Sequence, residues 1–257
     1  MENRAYPRGF ELFKQHTTGK QVIKNYFNET VLKYWRPPEE GVVNILDIGC
    51  AQGIVTSYLL NSLELPKNRI QLTLVEPIKE ELDEALKLLN IYQPQYFNMT
   101  YAEYINHAEN QQKHHLILNS HSIYYTGLDS LPVMYSSLEN FGALLMVVSG
   151  KESFFKSIAD VFPHAQETNG ETVYENMKPL PTNNLIYDKK DISLTIDYCL
   201  DHQNNITEQG KDLASFLLLK EYDEYNKAEK EAIVKLFNCS PTVRYLSSTN
   251  DFIWAIN

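Results

Sequence analysis

Two short stretches hold the residues whose types and spacing could do chemistry. In VNILDIGCAQG an apolar, β-branched run ends on Asp47 and is followed by Gly49, Ala51 and Gly53. In QLTLVEP a second apolar run ends on Glu76, 23 positions after Gly53. A strand feeding a glycine-punctuated turn, beside a second strand ending in an acid, is the entry to a nucleoside-binding α/β domain. The chemistry is recognition of a vicinal diol, because a carboxylate offers only acceptors and two hydroxyls offer two donors. Gly49 and Gly53 would let the backbone turn tightly against the bound molecule, where a Cβ would occupy its volume. Ala51 stands between them, small but less free to take a left-handed backbone. A dinucleotide site would show G-x-G-x-x-G, and the D-x-G-x-A-x-G here does not. A glycine turn alone is common in α/β proteins; the turn with the strand-end acid is the specific signal.

Those residues need a parallel sheet beneath them. Apolar runs predict strands near residues 42–48, 70–75, 96–100, 116–119 and 143–148. Helical spacing separates them near 54–65, 78–89, 102–111 and 128–140. This alternation implies a Rossmann-like α/β sheet with helices on both faces. An aromatic-rich helix over 20–35 precedes it, stopped by Pro37 and Pro38. Beyond the fifth strand the pattern predicts a helix near 152–161, an irregular region over 163–191 and a strand over 192–199. Two helices follow, near 210–220 and 227–237, and then a closing strand over 252–256. The count is seven strands, with C-terminal helical additions.

Composition narrows the partners. At 257 residues and 43% hydrophobic content the chain can bury one full α/β core, and a single domain is expected. A formal net charge of -10 repels a polyanion, which argues against a nucleic-acid partner. No apolar run nears the roughly 18 residues of a membrane span, and Met1 to Gly9 is polar with Glu2, Arg4 and Arg8. A soluble, cytoplasmic monomer with no membrane partner is the expectation. Cys50, Cys199 and Cys239 form neither a paired framework nor a metal spacing, and His114 and His115 have no ligand spacing either, so no metal is expected.

In an open α/β sheet the ligand lies beyond the carboxyl ends of the strands at the switch in strand order, which puts the end of the fourth strand beside the reacting atoms. That end reads Asn119-Ser120-His121-Ser122-Ile123-Tyr124-Tyr125. The first motif and Glu76 resemble those of the class I S-adenosylmethionine-dependent methyltransferases. The whole chain is similar to histamine N-methyltransferases, through AYPRGFELFKQHTTGKQ, LTLVEPIKEEL, ILNSHSIYYTGLDSLPVMYSSLE, LLMVVSGKESF and KKDIS in that order. The resemblance implies the seven-stranded methyltransferase sheet with a late antiparallel strand, divided into a helical lid at 1–40, a cofactor-binding core at 41–150 and a part at 151–257 completing sheet and pocket. It implies S-adenosyl-L-methionine as cofactor and S-adenosyl-L-homocysteine as product. Asp47, Gly49, Ala51, Gly53 and Glu76 would bind it, with Glu81 near the methionine moiety, Thr100 and Tyr101 near adenine, and Ser120 against the cofactor. Tyr6, Phe10 and Phe13 would belong to the lid, and Tyr6, Phe10, His121, Tyr124, Tyr125 and Phe154 would meet the acceptor. Independently of the resemblance, Tyr6, Phe10 and Phe13 recur at helical spacing and share a face, though such a stripe is also what plain packing produces.

The departures bear on the acceptor. The family's imidazole-anchoring glutamate is absent from His16-Thr17-Thr18-Gly19, its pocket glutamine is His121, and its second pocket tryptophan is Ile158. Loss of a buried carboxylate removes the charge-assisted bond that would select histamine, which argues against histamine itself. Absence of an Asn-Pro-Pro-Tyr signature after the fourth strand points to a small molecule rather than a macromolecule. His121 is the candidate catalytic residue, accepting the acceptor's proton or hydrogen-bonding to it. The expected activity is methyl transfer to a nitrogen of an amine or imidazole-type small molecule. Transfer to a carboxylate or hydroxyl oxygen, and a cofactor-binding module without turnover, stand as alternatives.

Overall fold

The computed structural model describes residues 6–107, 112–151, 161–162, 168–218, 220–238 and 245–257. Two compact units make up the chain. One comprises Met1–Lys20, Gly150–Glu167 and Lys190–Thr249, the other Gln21–Ser149, Thr168–Lys189 and Asn250–Asn257.

A seven-stranded sheet has the order β3-β2-β1-β4-β5-β7-β6. Its strands are β1 (Val43–Ile48), β2 (Ile70–Val75), β3 (Gln95–Phe97), β4 (His114–Ser120), β5 (Leu138–Ser149), β6 (Asn184–Thr195) and β7 (Tyr245–Ile256). β1 to β5 pair in parallel, and β7 runs antiparallel to β5, from Ala143↔Ile256 to Ser149↔Asn250. The central strands are apolar almost without interruption because both faces are covered. In β5, Leu145 and Val147 face one apolar cluster while Leu144, Met146 and Val148 face another.

In the sheet-bearing unit, α2 (Gly19–Tyr34) buries Ile23, Tyr26, Phe27 and Val31, a spacing that makes one helix face. α3 (Ile54–Ser62) and α4 (Lys79–Leu88) follow the first two strands, with Leu59 and Leu82 fully buried. Each such leucine contributes roughly 2 kcal/mol by leaving water. Short helices α5 (Tyr101–Ile105), α6 (Ile123–Thr126), α7 (Leu131–Ser136) and α8 (Gly170–Met177) complete the connections described. In the other unit, α1 (Tyr6–His16), α9 (Glu208–Leu217) and α10 (Lys227–Phe237) belong with a third cluster around Leu194, Leu213, Ile233 and Phe237.

Several boundaries differ from the expected ones. The helix expected over 128–140 is a 3-10 turn and α7, because β5 already begins at Leu138. The region expected to be irregular over 163–191 contains α8 and the first half of β6. Tyr124 and Tyr125 lie on a helical turn. The helix expected near 152–161 lies, apart from Val161, outside the described residues. No helix among the described residues is long and apolar enough to cross a membrane.

Candidate cofactor and acceptor site

The strand order reverses between β1 and β4, so the loops leaving their carboxyl ends part and open a crevice there. After β1, three of five residues have a left-handed backbone: Gly49 (φ 71°), Ala51 (φ 44°) and Gly53 (φ 74°). Ala51 thus takes the conformation its Cβ disfavours. The turn is tied to β2, since Gly49 and Cys50 both donate their N–H to the Val75 carbonyl, at 2.8 and 3.3 Å.

Glu76, at the tip of β2, is 5% exposed and completes the tie. Its Oε2 accepts the Ala51 N–H at 2.9 Å and its Oε1 accepts the Ile78 N–H at 2.9 Å. Each oxygen keeps a second lone pair, so the carboxylate is held by backbone and still able to accept. Burial raises its pKa above the ordinary carboxylate value, against the lowering effect of the two N–H donors. Asn98, which sequence reasoning missed, donates to the carbonyls of Glu76 and Pro77 at 3.0 and 2.9 Å and braces the same strand end.

Asp47 is buried beneath the turn. Its Oδ2 accepts from the Thr56 hydroxyl, and its Oδ1 has no partner. Burial, with the Glu76 charge adding to it against the Thr56 bond, pushes its pKa up to about 7. Glu81, in the first turn of α4, has a buried Oε2 without a partner. These unsatisfied acceptors, with the lone pairs of Glu76, fit a ligand that brings hydroxyls and a cationic amine; the donor set suits the nucleoside and amino-acid ends of S-adenosylmethionine. Among the described residues, no three or more His, Cys, Asp or Glu gather to hold a metal ion.

Gly49 and Gly53 make the tight turn expected of them, and each also gives room to a protein neighbour. A Cβ on Gly49 would lie 2.5 Å from the Ser122 Cβ, and one on Gly53 would lie 2.8 Å from Leu89 Cδ1. On the Cβ side the volume they spare belongs to protein neighbours. Ser122 in turn donates its hydroxyl to the Ile48 carbonyl at 2.5 Å, which joins the β4 loop to the end of β1.

Thr100 and Tyr101 are also occupied. Thr100 caps α5 through a reciprocal capping box with Glu103, and Tyr101 is buried against Tyr104 with ring centroids 6.1 Å apart. Ser120, half-buried, ends β4. His121 follows with a left-handed backbone (φ 55°) and donates its N–H to the Val147 carbonyl at 2.8 Å. Desolvation of the ring lowers its pKa to about 4. The Tyr124 ring stacks near it, centroids 6.3 Å apart at 26°. Tyr125 is 73% exposed.

The remaining acceptor candidates belong to the other compact unit or lie outside the described residues. Phe10 and Phe13 both pack on Phe216 of α9, with centroids 5.3 and 5.4 Å apart. Gly9 lets α1 approach α9 closely, since a Cβ there would lie 2.1 Å from the Asp212 carbonyl oxygen. Phe10 and Phe13 thus share a face that packs on one ring of α9. Tyr6 opens α1, its side chain outside the described part, and Phe154 lies outside the described residues. Asn250 and Asp251 went unnoticed: both are buried where β7 passes the end of β5, and the Asn250 Nδ2 has no partner. Their signal was a polar pair set against the apolar run FIWAI.

No protein-family profile and no curated protein matches the sequence. The resemblance to histamine N-methyltransferases therefore rests on the segments quoted above. Among solved structures, YcgJ of Bacillus subtilis is similar with a TM-score of 0.55 at 13% identity, covering 92% of this chain and 98% of that one. The plantazolicin methyltransferase BamL, in complex with a triazolic desmethylPZN analogue and SAH, has a TM-score of 0.53 at 12% identity over 96% and 88%. Phosphoethanolamine N-methyltransferase 2 of Haemonchus contortus, in complex with S-adenosyl-L-methionine, has a TM-score of 0.52 at 14% identity; 93% of this chain spans 57% of that one. Identities this low speak to architecture, and the architecture is the fold of the class I S-adenosylmethionine-dependent methyltransferases.

Proposed function

We propose that this chain is an S-adenosylmethionine-dependent methyltransferase whose acceptor is a small molecule methylated on nitrogen. The observation that carries the reading is the bond from Ala51 N–H to Glu76 Oε2, which unites the left-handed turn and the strand-end acid at the switch in strand order. Glu76 would take the ribose hydroxyls, and the unpartnered oxygens of Asp47 and Glu81 would face the amino-acid end. When bound, the cofactor supplies a methyl group on a positively charged sulfur. Much of the remaining task is alignment, for which effective molarities of about 10⁵ M are attainable.

His121 supplies the polar group on the acceptor side. Because desolvation holds its pKa to about 4, the ring is neutral across the physiological range. It serves as a hydrogen-bond acceptor for the incoming N–H, orienting the nitrogen lone pair toward the methyl. Tyr125, on the same loop, offers an exposed aromatic face to an amine.

Titration calorimetry with S-adenosylmethionine and S-adenosylhomocysteine tests the cofactor site. Both should bind, and Glu76→Ala should weaken them roughly 100-fold, the effect of about 2.7 kcal/mol from a charged acceptor lost. Absence of heat with either compound sinks the reading. A methyl-release screen over amines, imidazoles and small carboxylic acids then tests the acceptor. His121→Ala should lower turnover on the best acceptor while leaving cofactor affinity within about twofold.

A further inference from the structure

The β4–β5 ladder ends at Ser120↔Val147, which leaves Ser149, the last residue of β5, two positions beyond it. A longer β4 would have offered the Ser149 N–H a backbone carbonyl. The Tyr124 phenol oxygen accepts that N–H instead, at 2.7 Å. Two residues back along β5, the Val147 carbonyl accepts the His121 N–H at 2.8 Å. The loop carrying His121 is thus clipped to successive same-side positions of one strand, first by its own backbone and then by the Tyr124 side chain.

The clip has a consequence for the imidazole. Among the described residues no hydrogen bond holds the His121 ring, and the aromatic ring beside it is that of Tyr124, 6.3 Å away and inclined by 26°. His121 also sits at φ 55°, a backbone conformation that persists only where surroundings enforce it. We infer that Tyr124 is the positioning residue for His121: its hydroxyl is committed to the end of β5, and its ring fixes the plane of the imidazole at the carboxyl end of β4. The significance of that plane rests on the function proposed above, in which His121 orients the acceptor. Tyr124 acts on the acceptor through His121, not through its own hydroxyl.

NMR of the full chain tests this without any acceptor. The His121 ring resonance is assigned by its loss in His121→Gln and followed against pH, while amide exchange reports the Ser149 N–H. Tyr124→Ala should move the ring resonance and raise its titration midpoint by about one pH unit or more toward 6.5, as water reaches the imidazole. Tyr124→Phe keeps the ring but removes the acceptor, so the Ser149 N–H should exchange about tenfold faster, the effect of one lost hydrogen bond. Should Tyr124→Ala fail to fold, Tyr124→Phe still decides. An unmoved His121 midpoint in Tyr124→Ala, or an unchanged Ser149 exchange rate in Tyr124→Phe, overturns the inference. If both respond but His121→Ala leaves methyl transfer untouched, the role given to His121 fails while the positioning by Tyr124 stands.

Discussion

Gly49 shows how a single residue can be required by two separate constraints. Its φ of 71° costs an L-residue about 1–2 kcal/mol, and a Cβ would meet the Ser122 Cβ at 2.5 Å, far inside van der Waals contact. Gly49→Ala should therefore destabilise the protein by about 3 kcal/mol, read from urea unfolding. The two costs can be separated. In the Ser122→Gly background the clash disappears and only the backbone term remains, so Gly49→Ala should then cost about half as much. Equal costs in both backgrounds would show that Ser122 is not the obstacle. The sequence announced the glycines but not their partner, because Ser122 lies on a different strand's loop and nothing local marks it. The same holds for Glu76: its position was legible as the end of an apolar run, whereas its two backbone donors, Ala51 and Ile78, follow from how the turns fold over it. At Thr100 the local signal also marks a helix start, since Thr-x-x-Glu is itself a capping box.

Elements were legible in proportion to how fully they are buried. β2 runs from Ile70 to Val75 as expected, and β1 and α2 differ from expectation by one residue at their ends, because their apolar patterns answer directly to a covered face. The first half of β6 was not legible: Asn184 to Asp191 are half-buried or exposed at the sheet edge, so no strand alternation develops. What holds that edge is polar. Asp188 Oδ2 accepts the hydroxyls of Tyr26 and Tyr34 from α2, at 2.8 and 2.9 Å, and the Tyr26 hydroxyl accepts the Trp254 Nε1–H at 3.1 Å. The two tyrosines are not equivalent within this network. Tyr26→Phe strands a fully buried indole N–H and should cost about 2 kcal/mol, whereas Tyr34→Phe removes one bond at a half-buried site and should cost about 1 kcal/mol. Asp188→Ala should exceed either, since it leaves both hydroxyls without their acceptor. Thermal unfolding of the three variants gives the order, and equal losses for the two tyrosines would break the argument.

At the scale of the molecule, buried groups of both signs set opposing pH dependences, and His114 and Asp47 are one of each. His114, 2% exposed on β4 with its Nδ1 unpartnered, has its pKa lowered from 6.5 to about 4 by burial, with its neighbour His115 adding to the effect. The unfolded chain therefore binds the proton first, and stability falls as pH drops from 6.5 toward 4, by at most about 3 kcal/mol. Asp47 has the opposite sign. Its folded pKa of about 7 lies above the ordinary 3.8, so stability falls as pH rises from about 4 to 7, by at most about 4 kcal/mol, and is level beyond. Between pH 4 and 6.5 the two slopes oppose one another and these two contributions flatten the curve. Removing one should expose the other. Asp47→Asn should gain stability relative to the parent at pH 8 but not at pH 4, and its own stability should climb through the window where His114 loses its proton. His114→Gln should do the reverse, its stability relative to the parent falling as pH rises from 4 to about 7. Urea unfolding of the three proteins in parallel, from pH 4 to 8 without cofactor, measures the differences, and contributions common to all three cancel. Parallel curves would mean that neither group titrates out of step with the unfolded chain, and that Asp47 is already ionised beneath the cofactor turn.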